Sequence, residues 1–322
     1  MNTGLPERRF LITRLPPFKP HFYDTVLDWI GRNAPELMPL IDLQTVPFEI
    51  PANHDYGLHV PWIQDPVQSY NLEAYDASCK LSEQCDKLEI PVINRVEKVT
   101  NTGKVRGSEL IRKAGFRTPR MELIEDVEEF EDTLLGFDFP FFIRDDWNHF
   151  SRFFMVDSRD RVKEIPWEQY GRPVVCEFTD TKTKAGCYDR YRCFIAGDIC
   201  VPQGRWSCEI WKVKSKRLIT TIETREQDLE YALAPDPNAD RFFKAAANLE
   251  LQWLAFDYAL DPVTDEVIVW EANPYPNIDS AKGERAYRQF IVDRIIAAMI
   301  RLYLKTADLE VPRKIERLAQ GD

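Results

Sequence analysis

Long hydrophobic runs, paired cysteines and an excess of positive charge are all missing from this 322-residue sequence. No apolar stretch reaches the roughly 20 residues that a bilayer-crossing helix needs, so no membrane partner is expected. The opening residues, MNTGLPERRFLITRLPPFKP, lack the apolar core and small-residue cleavage site of a secretory signal, and the expected location is the cytosol. The seven cysteines include no CxxC pair, and Cys176, Cys187, Cys193, Cys200 and Cys208 have no ligand histidines beside them, which argues against a structural zinc site. Small buried side chains in a reducing compartment account for them. A net charge of -11, spread along the chain, disfavours nonspecific attraction to nucleic acid. Internal repeats, low-complexity tracts and a Ser-His-Asp or Cys-His signature are absent as well.

What is present is a core-forming composition, 44% hydrophobic with 12% aromatic, in a chain long enough for two or three lobes. Phe10 to Leu15 read as a short strand and FYDTVLDWIG as a helix ending at Gly31. The stretch from Asn33 to Pro66, rich in proline, reads as an ordered but loop-rich surface. SYNLEAYDASCKLSEQCDKLE is helical, and IPVIN reads as a buried strand that closes a first lobe near Asn94. GKVRGSELIRKAGF then reads as a helix capped by Gly115, TPRMELIE as a strand, DVEEFEDTLLGF as a helix and FPFFIR as a strand. From Arg172 the pattern turns to β: RPVVCEF, then RYRCFIAGD and ICVPQGRW as a hairpin through Gly197-Asp198. PNADRFFKAAANLEL is helical, and the amphipathic FIVDRIIAAMIRLYL reads either as a core element or as the face of a homodimer. The expected division is 1–94, 95–170 and 171–322.

The segment WLAFDYAL, the turn DPVTDE and the returning VIVWEAN form an antiparallel hairpin. Glu271 and Asn273, two apart on one strand, share a face, and the position opposite Asp257 falls near Trp270 or Glu271. Two carboxylates and an amide oxygen at one end of a sheet form a hard-oxygen set that selects magnesium or manganese and serves nucleotide phosphates. A solvent-facing strand edge capped by polar residues is the other reading of the same pattern.

WLAFDYAL...VIVWEANPYPN resembles the closing motif of ATP-grasp proteins, and PVINRVEKVTNTGKVRGSELIRKAGFRTP, FPFFIR, VVCEF and RYRCFIAGDIC resemble that family's earlier elements in the same order, close to glutathione-synthetase-like and glutamate-adding ligases. The resemblance implies an α+β ATP-grasp fold, two subdomains clasping ATP after a small α/β N-terminal lobe. It implies that Lys104 and Arg144 contact the nucleotide, that Glu177, Phe178 and Thr179 form its adenine and ribose hinge, and that Asp257, Glu271 and Asn273 hold Mg2+, with Mn2+ as an alternative. Arg192 matches the family's strand arginine near the phosphates and, with Arg144, is the candidate catalytic pair. A plain salt bridge is the competing account of Arg192.

Two departures stand out. DDWNHFSRFF follows Arg144 where the family has a glycine-rich loop, leaving Asn148, His149, Ser151 or Arg152 to take over its phosphate contacts. Arg190 replaces the family's acidic residue, consistent with a basic pocket for an anionic substrate that Arg205, Trp206, Trp211, Lys212 and Lys214 can extend. The leading expectation is a ligase that joins small-molecule or peptide carboxylate and amine substrates through an acyl phosphate. A phosphotransferase on the same ATP site and a nucleotide-binding protein without catalysis are the alternatives.

Overall fold

The computed structural model describes residues 8–15, 21–63, 66–128, 130, 136–147, 152–213, 217–276, 278, 281 and 283–322. Three sheets organise it. The first is parallel, in the order β2-β1-β3, from β1 (Arg9–Arg14), β2 (Ile41–Thr45) and β3 (Tyr56–Pro61). β1 is its central strand, and Phe10, Leu11, Ile12 and Thr13 are all buried, the continuous burial that a parallel strand covered on both faces requires. Helix α1 (His21–Asn33) follows β1, and α2 (Leu72–Lys87) follows β3.

Two expectations for this lobe need correcting. The stretch from Asn33 to Pro66, expected to be loop-rich, carries both outer strands of the sheet. β2 is a half-exposed edge strand bearing Asp42, which pairs with Arg9 at 3.1 Å, and β3, though buried at five of its six positions, breaks its apolar residues with Gly57 and His59, so neither shows a continuous apolar run. IPVIN, conversely, is no strand: Val92 makes one isolated parallel bridge to His59, and Asn94 turns the chain at φ 54°. The buried Asn94 amide accepts from the backbone N–H of Gln252 and Trp253 and donates to the carbonyl of Pro274, tying the first lobe to the acidic hairpin.

The second sheet is antiparallel, β4-β7-β5-β6, from β4 (Met121–Leu123), β5 (Phe141–Asp145), β6 (Phe154–Val156) and β7 (Pro173–Glu177). Helix α3 (Lys104–Arg112) precedes it, and the Asp146 carboxylate accepts from the Val105 N–H at 3.1 Å, filling one of the unpaired donors of the first turn. Half of the expected helix DVEEFEDTLLGF lies outside the described residues, as do Asn148, His149, Ser151 and Lys214.

The third sheet, β11-β10-β8-β9, is also antiparallel and comprises β8 (Tyr188–Ala196), β9 (Ile199–Cys208), β10 (Trp253–Leu260) and β11 (Val267–Asn273). The expected β8–β9 hairpin is there, turning through Gly197 at φ 59°, where a side chain would be strained. Helices α4 (Ile222–Leu233) and α5 (Ala239–Leu249) lie between β9 and β10. α5 sets the fully buried Phe242 between Phe116 and Phe256, at centroid distances of 4.6 and 5.0 Å. Burial of that size contributes about 2–3 kcal/mol.

After β11 come α6 (Gln289–Thr306) and α7 (Arg313–Gln320). α6 is a core element: Ile291, Ile295, Ile296, Met299, Ile300 and Tyr303 are buried in one cluster with Phe10 and Trp29 of the first lobe and Phe194 and Trp253 of the third sheet. That burial resolves the two readings of this helix against an exposed dimer face. All seven cysteines are free, and no helix among the described residues is long and apolar enough to cross a membrane.

Candidate active site

Two β-bulges set the site. Counting back along the β10–β11 hairpin from Leu260↔Val267 through Tyr258↔Val269, a regular ladder would put Trp270 opposite Asp257. The register shifts at that point, Trp270 becomes the extra residue, and Glu271 stands opposite Asp257 instead. The β8–β9 pair does the same: a regular ladder from Ala196↔Ile199 would put Gln203 opposite Arg192, but the shift after Cys193↔Pro202 brings Gly204 there. Since Asp257 also pairs with Arg192, one row crosses all four strands: Glu271, Asp257, Arg192, Gly204. Directly opposite residues of antiparallel strands share a face.

The row is an ionic network. Arg192 grips Asp257 through Nε and Nη2, both at 2.6 Å. Glu271 Oε2 lies 3.2 Å from Lys104 Nζ and 3.5 Å from Arg144 Nη2. Asn273 Nδ2 donates to Asp257 Oδ2 at 3.2 Å and to Glu271 Oε1 at 3.4 Å. The Lys104 side chain is only 1% exposed. Burial, followed by Arg144, holds its pKa below the usual lysine value, against the opposing pull of Glu271. Three expected metal-binding side chains and three expected phosphate contacts therefore stand together, and the two carboxylates are matched here by Lys104, Arg144 and Arg192.

A cavity of about 280 Å³ opens in front of this row, between the second and third sheets. Arg144, Arg192, Asp257 and Glu271 line it, as do Glu177, Phe178 and Thr179 from the segment leaving β7. Lys104 is not among the residues that line the cavity, and its ammonium meets Glu271, which is. The Glu177 carboxylate accepts from the Arg120 N–H at 2.9 Å and fixes the start of that segment. The Thr179 hydroxyl and Arg144 Nε are buried with no hydrogen-bond partner among the described residues. Unsatisfied buried polar atoms in a cavity wall fit a ligand that supplies donors and acceptors of its own.

Hard oxygen donors on adjacent strands fit magnesium by their chemistry, with the Asn273 amide turned to present its oxygen. Among the described residues no group of three His, Cys, Asp or Glu side chains is placed to share an ion, so such a site needs that amide. Of the glycine-free segment, Phe153 is well placed. Its ring lies 4.6 Å beneath the Arg144 guanidinium and 4.2 Å beneath Lys212 Nζ, beside Trp211 at 6.0 Å. Arg152 is exposed. Arg190 lines the cavity and stands 4.8 Å over the Trp206 ring, whereas Arg205 projects with Tyr191 from the other face and is held by Asp189 at 2.7 Å. Sequence reasoning missed Phe153 and Asp146. The FF and DD doublets flanking the loop were their only trace.

No protein-family model matches the chain, and no curated protein matches it. Solved structures do. The VanG D-Ala:D-Ser ligase of Enterococcus faecalis is 12% identical, with a TM-score of 0.57 over 92% of this chain and 99% of its own. A RimK domain ATP-grasp protein of Sphaerobacter thermophilus is 10% identical, with a TM-score of 0.57 over 92% and 99%. The ATP-grasp ligase PsnB, in complex with a precursor variant, Mg and ADP, is 12% identical, with a TM-score of 0.58 over 91% and 99%.

Proposed function

We propose, from the premise that this α+β chain has the ATP-grasp fold, that the protein is an ATP-dependent carboxylate–amine ligase. A carboxylate oxygen of one substrate attacks the γ-phosphorus of ATP, the bond to the β,γ-bridging oxygen breaks, and ADP leaves behind an acyl phosphate. The amine of a second substrate then attacks the acyl carbon, loses a proton, and inorganic phosphate departs.

Asp257, Glu271 and Asn273 would hold magnesium, which supplies neutralising charge at the phosphates when bound; manganese suits the same donors. Arg144 and Arg192 face the cavity and stabilise the charge that develops on the phosphoryl oxygens. Lys104 acts from behind, holding the Glu271 carboxylate in place. The Glu177–Thr179 segment takes the adenine and ribose, with the Thr179 hydroxyl as the group waiting for a partner. On this reading the second sheet, which takes in β7 (Pro173–Glu177) beyond the expected boundary at 170, and the third sheet clasp the nucleotide, and residues 1–94 contribute to substrate choice. No protein nucleophile is needed.

The observation that carries the proposal is the row of Asp257 and Glu271, compensated by three cations, at the mouth of the 280 Å³ cavity. The ligases of the same fold, one of them solved with Mg and ADP, support it. The test is incubation with magnesium ATP and a library of amino acids and peptides, following ADP release and product mass. ADP release that requires both a carboxylate and an amine supports the ligase. A phosphorylated product from a single substrate replaces it with a phosphotransferase, and failure to bind ATP removes both.

A further inference from the structure

Arg144 and Arg192 both face the 280 Å³ cavity, but they are held in different ways. Arg192 commits Nε and Nη2 to Asp257, at 2.6 Å each. Arg144 meets Glu271 at 3.5 Å, long for a hydrogen bond, and its buried Nε has no hydrogen-bond partner among the described residues. A single contact at that distance does not set the plane of a guanidinium.

An aromatic ring lies against Arg144 instead. Phe153 stands just before β6, lines the same cavity, and places its centroid 4.6 Å from Arg144 Cζ. The ring is itself braced from two directions. Phe142, which shares a face of β5 with Arg144, lies 5.4 Å away, and Trp211, which follows β9, lies 6.0 Å away at an interplanar angle of 83°. Trp211 also stacks on Phe142 at 5.6 Å, so the three rings close on one another across the gap between the second and third sheets. Lys212 Nζ stands 4.2 Å from the Phe153 centroid as well, and one ring therefore meets a cation from each side of the cavity.

A ring holds a cation by its negative face and uses none of the cation's N–H donors. A carboxylate in the same place would take two donors of the guanidinium fork and cancel its charge, as Asp257 does for Arg192. Arg144 is thus oriented while its charge and its donors stay available to an anion entering the cavity.

We propose that Phe153 is a positioning residue, whose ring orients the Arg144 guanidinium toward the phosphoryl oxygens of bound ATP. The identity of that anion rests on the ATP reading given above. The two arginines then differ in their work: Arg144 offers its fork to the phosphates, and Arg192 divides its own between the cavity and Asp257.

The test is calorimetric titration of the whole protein with magnesium ATP. It uses the wild type, Phe153→Leu, and three forms in which the ring of Phe153 carries one, two or three fluorine atoms. Fluorine draws charge from the face of the ring and changes its size little, so packing is kept while the attraction for a cation fades. The expected result is a Kd that rises stepwise with each fluorine, reaching about threefold to tenfold with three, and by at least as much in Phe153→Leu. The same slope is expected in a Lys212→Met background. A flat fluorine series in a protein that binds magnesium ATP reduces Phe153 to packing, whatever Phe153→Leu does; it overturns the proposal and leaves the ATP reading standing. A slope that disappears with Lys212→Met means that the ring acts through the lysine, and overturns the assignment to Arg144. Failure of the wild type to bind magnesium ATP removes the ATP reading and this proposal with it.

Discussion

Replacing Glu271 by glutamine probes the least solvated charge in the site. Lys104 Nζ stands 3.2 Å from Glu271 Oε2 with its side chain 1% exposed, while Glu271 is 22% exposed and also meets Arg144 at 3.5 Å. At an effective dielectric near 20, opposite charges at that separation attract by ~5 kcal/mol. Part of this is cancelled by repulsion from Arg144 and by water at the exposed edge of Glu271. Removing one partner of a buried pair takes away most of the other's compensation, leaving Lys104 the weaker pull of Asp146, so Glu271→Gln costs about 3 kcal/mol. Lys104→Met costs about 1 kcal/mol, because the carboxylate keeps Arg144 and some water. The double variant has no stranded ammonium and costs about 1 kcal/mol, which makes the coupling about 3 kcal/mol. Native-state hydrogen exchange at the β10 and β11 amides reads these energies without requiring the whole chain to unfold in one step. Additive effects, with coupling below ~0.5 kcal/mol, would refute the idea that Lys104 depends on Glu271.

Two further outcomes follow from single side chains. His59 is fully buried, bonds Thr13 at 2.9 Å, and is pushed down to about 3 by burial, with a smaller contribution from Arg95. Its folded pKa lies below the ordinary 6.5, so the unfolded chain takes up the proton first, and stability is lost as the pH falls from 6.5 toward 3. At pH 5 the loss is ~2 kcal/mol, and in a chemical denaturation series His59→Gln should lack that part of the acid slope; an unchanged slope would contradict the assignment. Gly204→Ala pushes a methyl into the Arg288–Asp228 pair and should cost about 1–3 kcal/mol in the same assay. A neutral substitution would mean that Arg288 is free to move aside.

The acidic hairpin was legible because everything that makes it is local: a turn, a two-residue period and oxygen-bearing side chains in phase. The bulge was not, which is why the position opposite Asp257 stayed between Trp270 and Glu271. An extra residue in a ladder changes the pairing without changing the composition of either strand. β2 escaped because a short edge strand need not be apolar, β3 because Gly57 and His59 interrupt its apolar residues, and both because their partner β1 is not a sequence neighbour. The closeness of Arg288 to Gly204 escaped for the same reason: the two meet across 84 positions. A lone glycine in an otherwise substituted strand was its only signal.

Oxygen transfer tests the central claim most directly. The protein is incubated with magnesium ATP and a mixture of amino acids and peptides labelled with ¹⁸O in their carboxyl groups, and the inorganic phosphate released is weighed by mass spectrometry. A ligase that passes through an acyl phosphate delivers one ¹⁸O atom from the carboxylate to each phosphate released with product. Amide product accompanied by unlabelled phosphate, or ATP consumption with no dependence on a carboxylate, would contradict the account.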